Sequence, residues 1–131
     1  MNEMLRDKLA NFTSAVKRLD EAMHEQGYAL SLDGAIQRFE FTFETAWKAL
    51  RKFLLVEGQE CATPRDCIKK AFQAGYLTEE QIWLNMLKDR NASSHLYDEA
   101  EAKRIYESIG CQYLPALKKL EEYLRGKIAA L

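Results

Sequence analysis

Apolar residues in this chain recur every three or four positions and never, over strand length, every second one. From Leu5 the series runs Leu5, Leu9, Phe12, Val16, Leu19 and Met23, steps that put all six side chains on one stripe of a 3.6-residue helix. Lys8, Lys17, Arg18 and Glu21 fall off that stripe and are left for solvent. Gly27 follows, where a left-handed cap residue belongs. A second stripe of Leu32, Ile36, Phe39, Phe43, Ala46, Trp47, Leu50 and Leu54 predicts a helix that starts near Ser31–Asp33 and stops before Gly58. Its aromatics, Phe39, Phe41, Phe43 and Trp47, are dense enough to cover two surfaces, one inside the chain and one on a partner subunit.

Helix boundaries are written into the rest of the chain. Thr63-Pro64-Arg65-Asp66 places a capping hydroxyl, a proline at the first helical position and an acid in the positive first turn. The short helix it opens ends at Gly75. Thr78-Glu79-Glu80-Gln81 is a capping box for a helix carrying Ile82, Trp83, Met86 and Leu87, and Asp98 with Glu101 is another. The last stripe, Ile105, Ile109, Tyr113, Leu117, Leu120, Leu124 and Ile128, is interrupted by Gly110 and Pro115. The proline ring opposes the carbonyl of Cys111, which predicts a kink there without a break. Four long helices and one short one make an all-α chain, an antiparallel four-helix bundle with one additional short helix.

With 131 residues, one domain spanning 1–131 is expected, large enough for a continuous core. The 19 basic and 20 acidic residues leave a net charge of −1. That balance excludes a protein that grips nucleic acid through overall basicity, while a local basic patch stays open. No apolar run approaches a membrane span, and the charged N-terminus carries no signal-peptide core. Cys61, Cys67 and Cys111 are an odd count without metal-like spacing, so free thiols in a reducing cytoplasm are expected.

Polar groups collect against the pattern in one segment, from Lys88 to Tyr97. Arg90 lies four residues after Met86 and seven after Trp83, on the apolar face of its helix. An Arg placed there must bond an anion or carbonyls. His95 arrives just before the capping residue Asp98. A permanent fork of donors and a ring titrating near neutrality form a phosphate-handling pair. The structural alternative is an Arg that caps helix carbonyls and a His that is hydrogen-bonded at a helix junction.

Arg90-x4-His95-x-Tyr97 resembles the signature of the HEPN superfamily, and more closely that of the small helical nucleotidyltransferase substrate-binding proteins encoded beside a minimal nucleotidyltransferase. The likeness extends to Arg38-Phe39-Glu40-Phe41-Thr42-Phe43-Glu44-Thr45-Ala46-Trp47-Lys48, to Thr63-Pro64-Arg65-Asp66, to Ala71-Phe72 and to Trp83. The resemblance implies a HEPN-like bundle forming a homodimer with two Arg–His motifs facing a shared cleft. It implies a metal-independent endoribonuclease toxin, silenced by a cognate nucleotidyltransferase that adds AMP to the motif's tyrosine (a toxin–antitoxin pair). By position Arg90, Asn91 and His95 would be catalytic and Tyr97 the modified residue, with RNA as substrate and no cofactor or metal. Another branch of the family is described as binding the nucleotidyltransferase's substrate, and the stretch from Arg38 to Lys48 belongs to that branch.

Metal-free RNA cleavage needs a base at the 2′-hydroxyl, an acid at the leaving oxygen and positive charge at the phosphorane. His95 suits either proton transfer, while Arg90 stabilises charge because it never deprotonates. Glu40 or Glu44 can reach Arg90 across the bundle and orient it, and Arg38 and Lys48 are candidates for a substrate groove. Lys48, Arg51 and Lys52, or Arg65, Lys69 and Lys70, track an RNA backbone or are simply solvated helix faces. Three functions therefore stay open: a ribonuclease toxin, a non-catalytic subunit that presents substrate or nucleotide to a nucleotidyltransferase, and a helical dimerisation module.

Overall fold

The computed structural model describes residues 2–24, 29–93 and 98–131. Among them six α-helices follow one another: α1 (Asn2–His24), α2 (Ala29–Val56), α3 (Pro64–Gln73), α4 (Glu80–Ser93), α5 (Glu99–Ser108) and α6 (Leu114–Ala129). A π-helical turn, Ile109–Tyr113, joins the last two. Among the described residues there is no strand. The cap expected at Gly27 lies outside the described residues.

The long helices α1 and α2 pack antiparallel along their whole length. The Thr42 hydroxyl is 3.2 Å from the Ala15 carbonyl and 2.7 Å from that of Arg38, sharing one proton between them. Arg38 Nη1 donates to the Arg18 carbonyl at 3.0 Å. The predicted stripes are the core: Phe12, Leu19, Phe39, Phe43, Leu50 and Leu54 are all fully buried. Each such side chain taken from water stabilises the fold by about 1.5–3 kcal/mol. α6 returns along α1, and Leu117, Leu120 and Leu124 close one continuous core with Ile68, Met86 and Ile105.

The end signals met different fates. Thr63 caps α3 as expected, its hydroxyl accepting from the Asp66 amide, and Gly75 leaves the helix with φ +87°. Asp98 caps α5 by accepting from the Ala100 amide. Glu101 does not complete a box, because Arg104 draws its carboxylate away at 2.7 Å. α4 begins at Glu80, and the Thr78 hydroxyl accepts from Lys119 Nζ at 3.0 Å, so the expected box there is replaced by a tie to α6. Before Pro115 the last stripe widens into a π turn: the Leu114 amide reaches back five residues to the Ile109 carbonyl. The π turn absorbs the bond that proline cannot donate.

The cysteine expectation is overturned. Cys61 and Cys67 form a disulfide across the start of α3, with Cα atoms 5.1 Å apart, and Cys111 alone is free and exposed. The Thr63–Pro64 cap folds the chain back within six residues, which brings the two thiols together. Sequence spacing does not report that turn.

Candidate functional site

α4 carries two charged neighbours, Asp89 and Arg90, in its last turns. Successive helix positions diverge by about 100°, so the two side chains leave in different directions. Asp89 is buried, 4% exposed. Its carboxylate accepts from Arg104 Nη2 at 2.7 Å and from the Tyr113 hydroxyl at 2.5 Å. Arg104 also binds Glu101. This cluster ties the C-terminal end of α4 to α5 and to the π turn, on both sides of the 94–97 connection. Burial and the Asp89 carboxylate push the Tyr113 hydroxyl well above the ordinary tyrosine range. The Glu101 and Asp89 bonds raise Arg104, and Arg104 in turn lowers Glu101.

Arg90 takes the other direction and stays a third exposed. Its Nη2 donates to Glu44 Oε2 at 2.6 Å, and its Nη1 lies 3.4 Å from Asn91 Oδ1. Glu44 is also gripped by Trp47 Nε1 at 3.1 Å and paired with Lys48 at 3.4 Å. Three donors from two helices thus fix one carboxylate, and that carboxylate orients the guanidinium. Ser93 closes the helix end by donating to the Arg90 carbonyl at 2.8 Å.

The carboxylate that meets Arg90 is therefore that of Glu44; Glu40 lies one turn earlier and is half-buried. Lys48 joins the site through Glu44. Arg38 is not brought to it: its Nη1 donates to the Arg18 carbonyl on α1. Asn91 is beside Arg90 on the exposed side of α4. His95 and Tyr97 lie outside the described residues. Of the two basic runs, Arg51 sits over the Trp47 ring at 5.9 Å, and Lys70 pairs with Asp66 at 3.2 Å, so both are partly engaged within their own helices.

Asp89, Arg104 and Tyr113 were missed from the sequence. The available signal was weaker than that for Arg90: an acid three residues after Met86, though six after Trp83. Among the described residues, no group of three or more His, Cys, Asp or Glu side chains comes together to hold a metal ion. No described helix is long and apolar enough to cross a membrane.

The chain as a whole has known relatives. The nucleotidyltransferase substrate binding protein like family matches residues 7–126. The chain belongs to this family. A crystal structure from Thermus thermophilus is 36% identical, superposes with a TM-score of 0.75, and matches 89% of this chain and 98% of its own. A Haemophilus influenzae structure, described as revealing the fold of a substrate binding domain of a nucleotidyltransferase, has a TM-score of 0.68 at 23% identity. That pairing covers 95% of this chain and 99% of the other, and it supports the shared fold. A protein named probable ribonuclease HepT, also from Haemophilus influenzae, is 28% identical over 81 residues, covering 58% of this chain. The match spans 56%, about half, of that relative's length.

Proposed function

We propose that this family member is a HEPN-type, metal-independent endoribonuclease that works in the cytoplasm as a homodimer and is partnered by a minimal nucleotidyltransferase. The observation that carries the reading is the partly exposed Arg90 guanidinium, held by Glu44 in the last turn of α4, a few residues before His95 and Tyr97 in the sequence. A guanidinium offers five N–H donors; Nη2 is on Glu44 and Nη1 makes only a long contact with Asn91, which leaves donors for a phosphate. Arg90 then binds the scissile phosphate and stabilises the charge that builds on it. Glu44 keeps the fork from rotating, and Asn91 adds a polar group beside it. His95 takes the 2′-hydroxyl proton or protonates the leaving oxygen, and its counterpart in the second subunit does the other job.

AMP added to the Tyr97 hydroxyl places a bulky anion two residues from His95, which repels RNA phosphates and silences the enzyme as an antitoxin would. RNA incubated with the protein and a chelator is expected to be cut to 2′,3′-cyclic phosphate ends, with DNA left intact for want of the nucleophile. His95→Ala should lower the rate by about 10²–10⁴-fold and remove any growth arrest seen when the chain is produced without its partner. Cleavage that demands Mg²⁺, or a His95→Ala protein as active as the parent, overturns the proposal.

One observation favours the second reading, a non-catalytic binding subunit of a nucleotidyltransferase complex. The 2.6 Å bond to Glu44 already compensates much of the Arg90 charge. A protein that binds the nucleotidyltransferase yet neither cuts RNA nor arrests growth would establish that role instead.

A further inference from the structure

A groove of about 460 Å³ runs between α1 and α2, lined by Lys8, Arg18, Phe41, Glu44, Thr45 and Lys48 among others. The antiparallel register set by the Thr42–Ala15 and Arg38–Arg18 bonds puts Lys48 level with Lys8 at one end and Arg18 at the other. Ten residues of α1 separate the two ends, about 15 Å of helix. Between them Phe41 stands 60% exposed, the most exposed aromatic ring of the described chain. An isolated exposed Phe needs no explanation, but one flanked by cations in a groove has the composition of a single-strand nucleic-acid site. The groove's carboxylate, Glu44, is held by Lys48 and by Arg90, so positive charge is in excess along the lining. One lining residue, Glu44, is also bonded to the proposed catalytic guanidinium of Arg90.

We propose that this groove is a track for single-stranded RNA, with Phe41 stacking one base and Lys8 and Arg18 holding phosphates on either side of it. The proposal rests on the ribonuclease reading for its substrate and extends it to a second site on the same strand. Charge favours RNA over another copy of this chain: a two-fold contact through the groove would bring the three cations Lys8, Arg18 and Lys48 of one copy against the same three of the other, with one carboxylate on each side. A negatively charged strand finds the complementary surface and displaces counterions on binding. Stacking is indifferent to base identity, so the groove supplies affinity and direction with little sequence preference.

The test uses a fluorescently labelled 2′-O-methyl oligoribonucleotide, which binds without being cut, followed by anisotropy over a salt series. The full-length parent and His95→Ala are expected to bind alike. Phe41→Ala should weaken binding about 10-fold, the scale of one lost base–aromatic stack, and Phe41→Trp should restore it. Lys8→Gln and Arg18→Gln should each flatten the salt slope by about 0.7, the value for one phosphate on a single strand. Thermal unfolding midpoints of all four variants should stay near the parent's, because the three side chains lie at the surface. If the parent cuts RNA but these variants keep its affinity and salt slope, the groove proposal falls and the ribonuclease survives. If the parent cuts nothing yet binding depends on Phe41, Lys8 and Arg18, the groove stands and the ribonuclease falls. A Phe41→Ala protein that changes its oligomeric state while binding the oligonucleotide normally shows the face to be a subunit interface and overturns the RNA track.

Discussion

Asp89 and Arg90 are consecutive, both charged and both paired across the bundle, yet they sit in opposite circumstances. Asp89 is sealed under Arg104 and the Tyr113 ring, whereas Arg90 keeps a third of its side chain in water. A buried carboxylate without partners is very costly, so the Asp89 cluster must be complete for the fold to hold. An ion pair at the surface contributes little to stability, so the Arg90–Glu44 pair is available for chemistry. One residue step, about 100° around the helix, thus separates a structural clamp from a working group. The clamp also ties α4 to α5 and to the π turn beside the working group.

That contrast makes ordered predictions. The largest effect is expected from Asp89→Ala, which strands the Tyr113 hydroxyl and one face of Arg104. It should lower unfolding stability by about 2–4 kcal/mol, read by chemical denaturation. A loss under about 1 kcal/mol would mean the cluster is no clamp. Next comes Tyr113→Phe, which should cost about 1 kcal/mol and alter the response to alkali. The folded-state value for Tyr113 is raised above that of the unfolded chain by burial and by Asp89, so its contribution is fully present below about pH 10 and fades as pH rises beyond it. The parent should therefore lose stability above about pH 10 more steeply than Tyr113→Phe, and identical pH profiles would remove Tyr113 from the comparison. The smallest stability effect belongs to Glu44→Gln, less than about 1 kcal/mol. Its RNA-cleavage rate should nevertheless fall at least about 10-fold as the guanidinium loses its orienting charge. If Glu44→Gln unfolds as readily as Asp89→Ala, the division between clamp and working group is wrong.

How much of this was legible depends on how local each feature is. The caps at Thr63 and Asp98 were readable because a capping side chain meets an amide two or three residues away. The core stripes were readable because each belongs to one helix with one period. Arg90 was readable as a displaced charge. Asp89 has only the three-residue step from Met86 to point it inward, yet it proved the more deeply buried of the two. The choice of Glu44 over Glu40 was not readable, since both stand on α2 one turn apart. Lys8 and Arg18 read as plain solvent residues until α2 set Phe41 and Lys48 beside them. The Cys61–Cys67 bond was hidden for the same reason: it depends on the path of the chain around Thr63 and Pro64, and not on the count of cysteines.

Periodicity, caps and turn residues by themselves determined that the described residues are mostly helical, where several of the helices start and stop, and which stripe of each is apolar. These are properties of a chain with its near neighbours. Only the tertiary structure decided which carboxylate meets which guanidinium, which phenylalanine is left in water, and how proline's missing bond is absorbed in a π turn. Those outcomes depend on the angle at which one helix is rotated against another, and that angle is a compromise among all the packed side chains of the core at once.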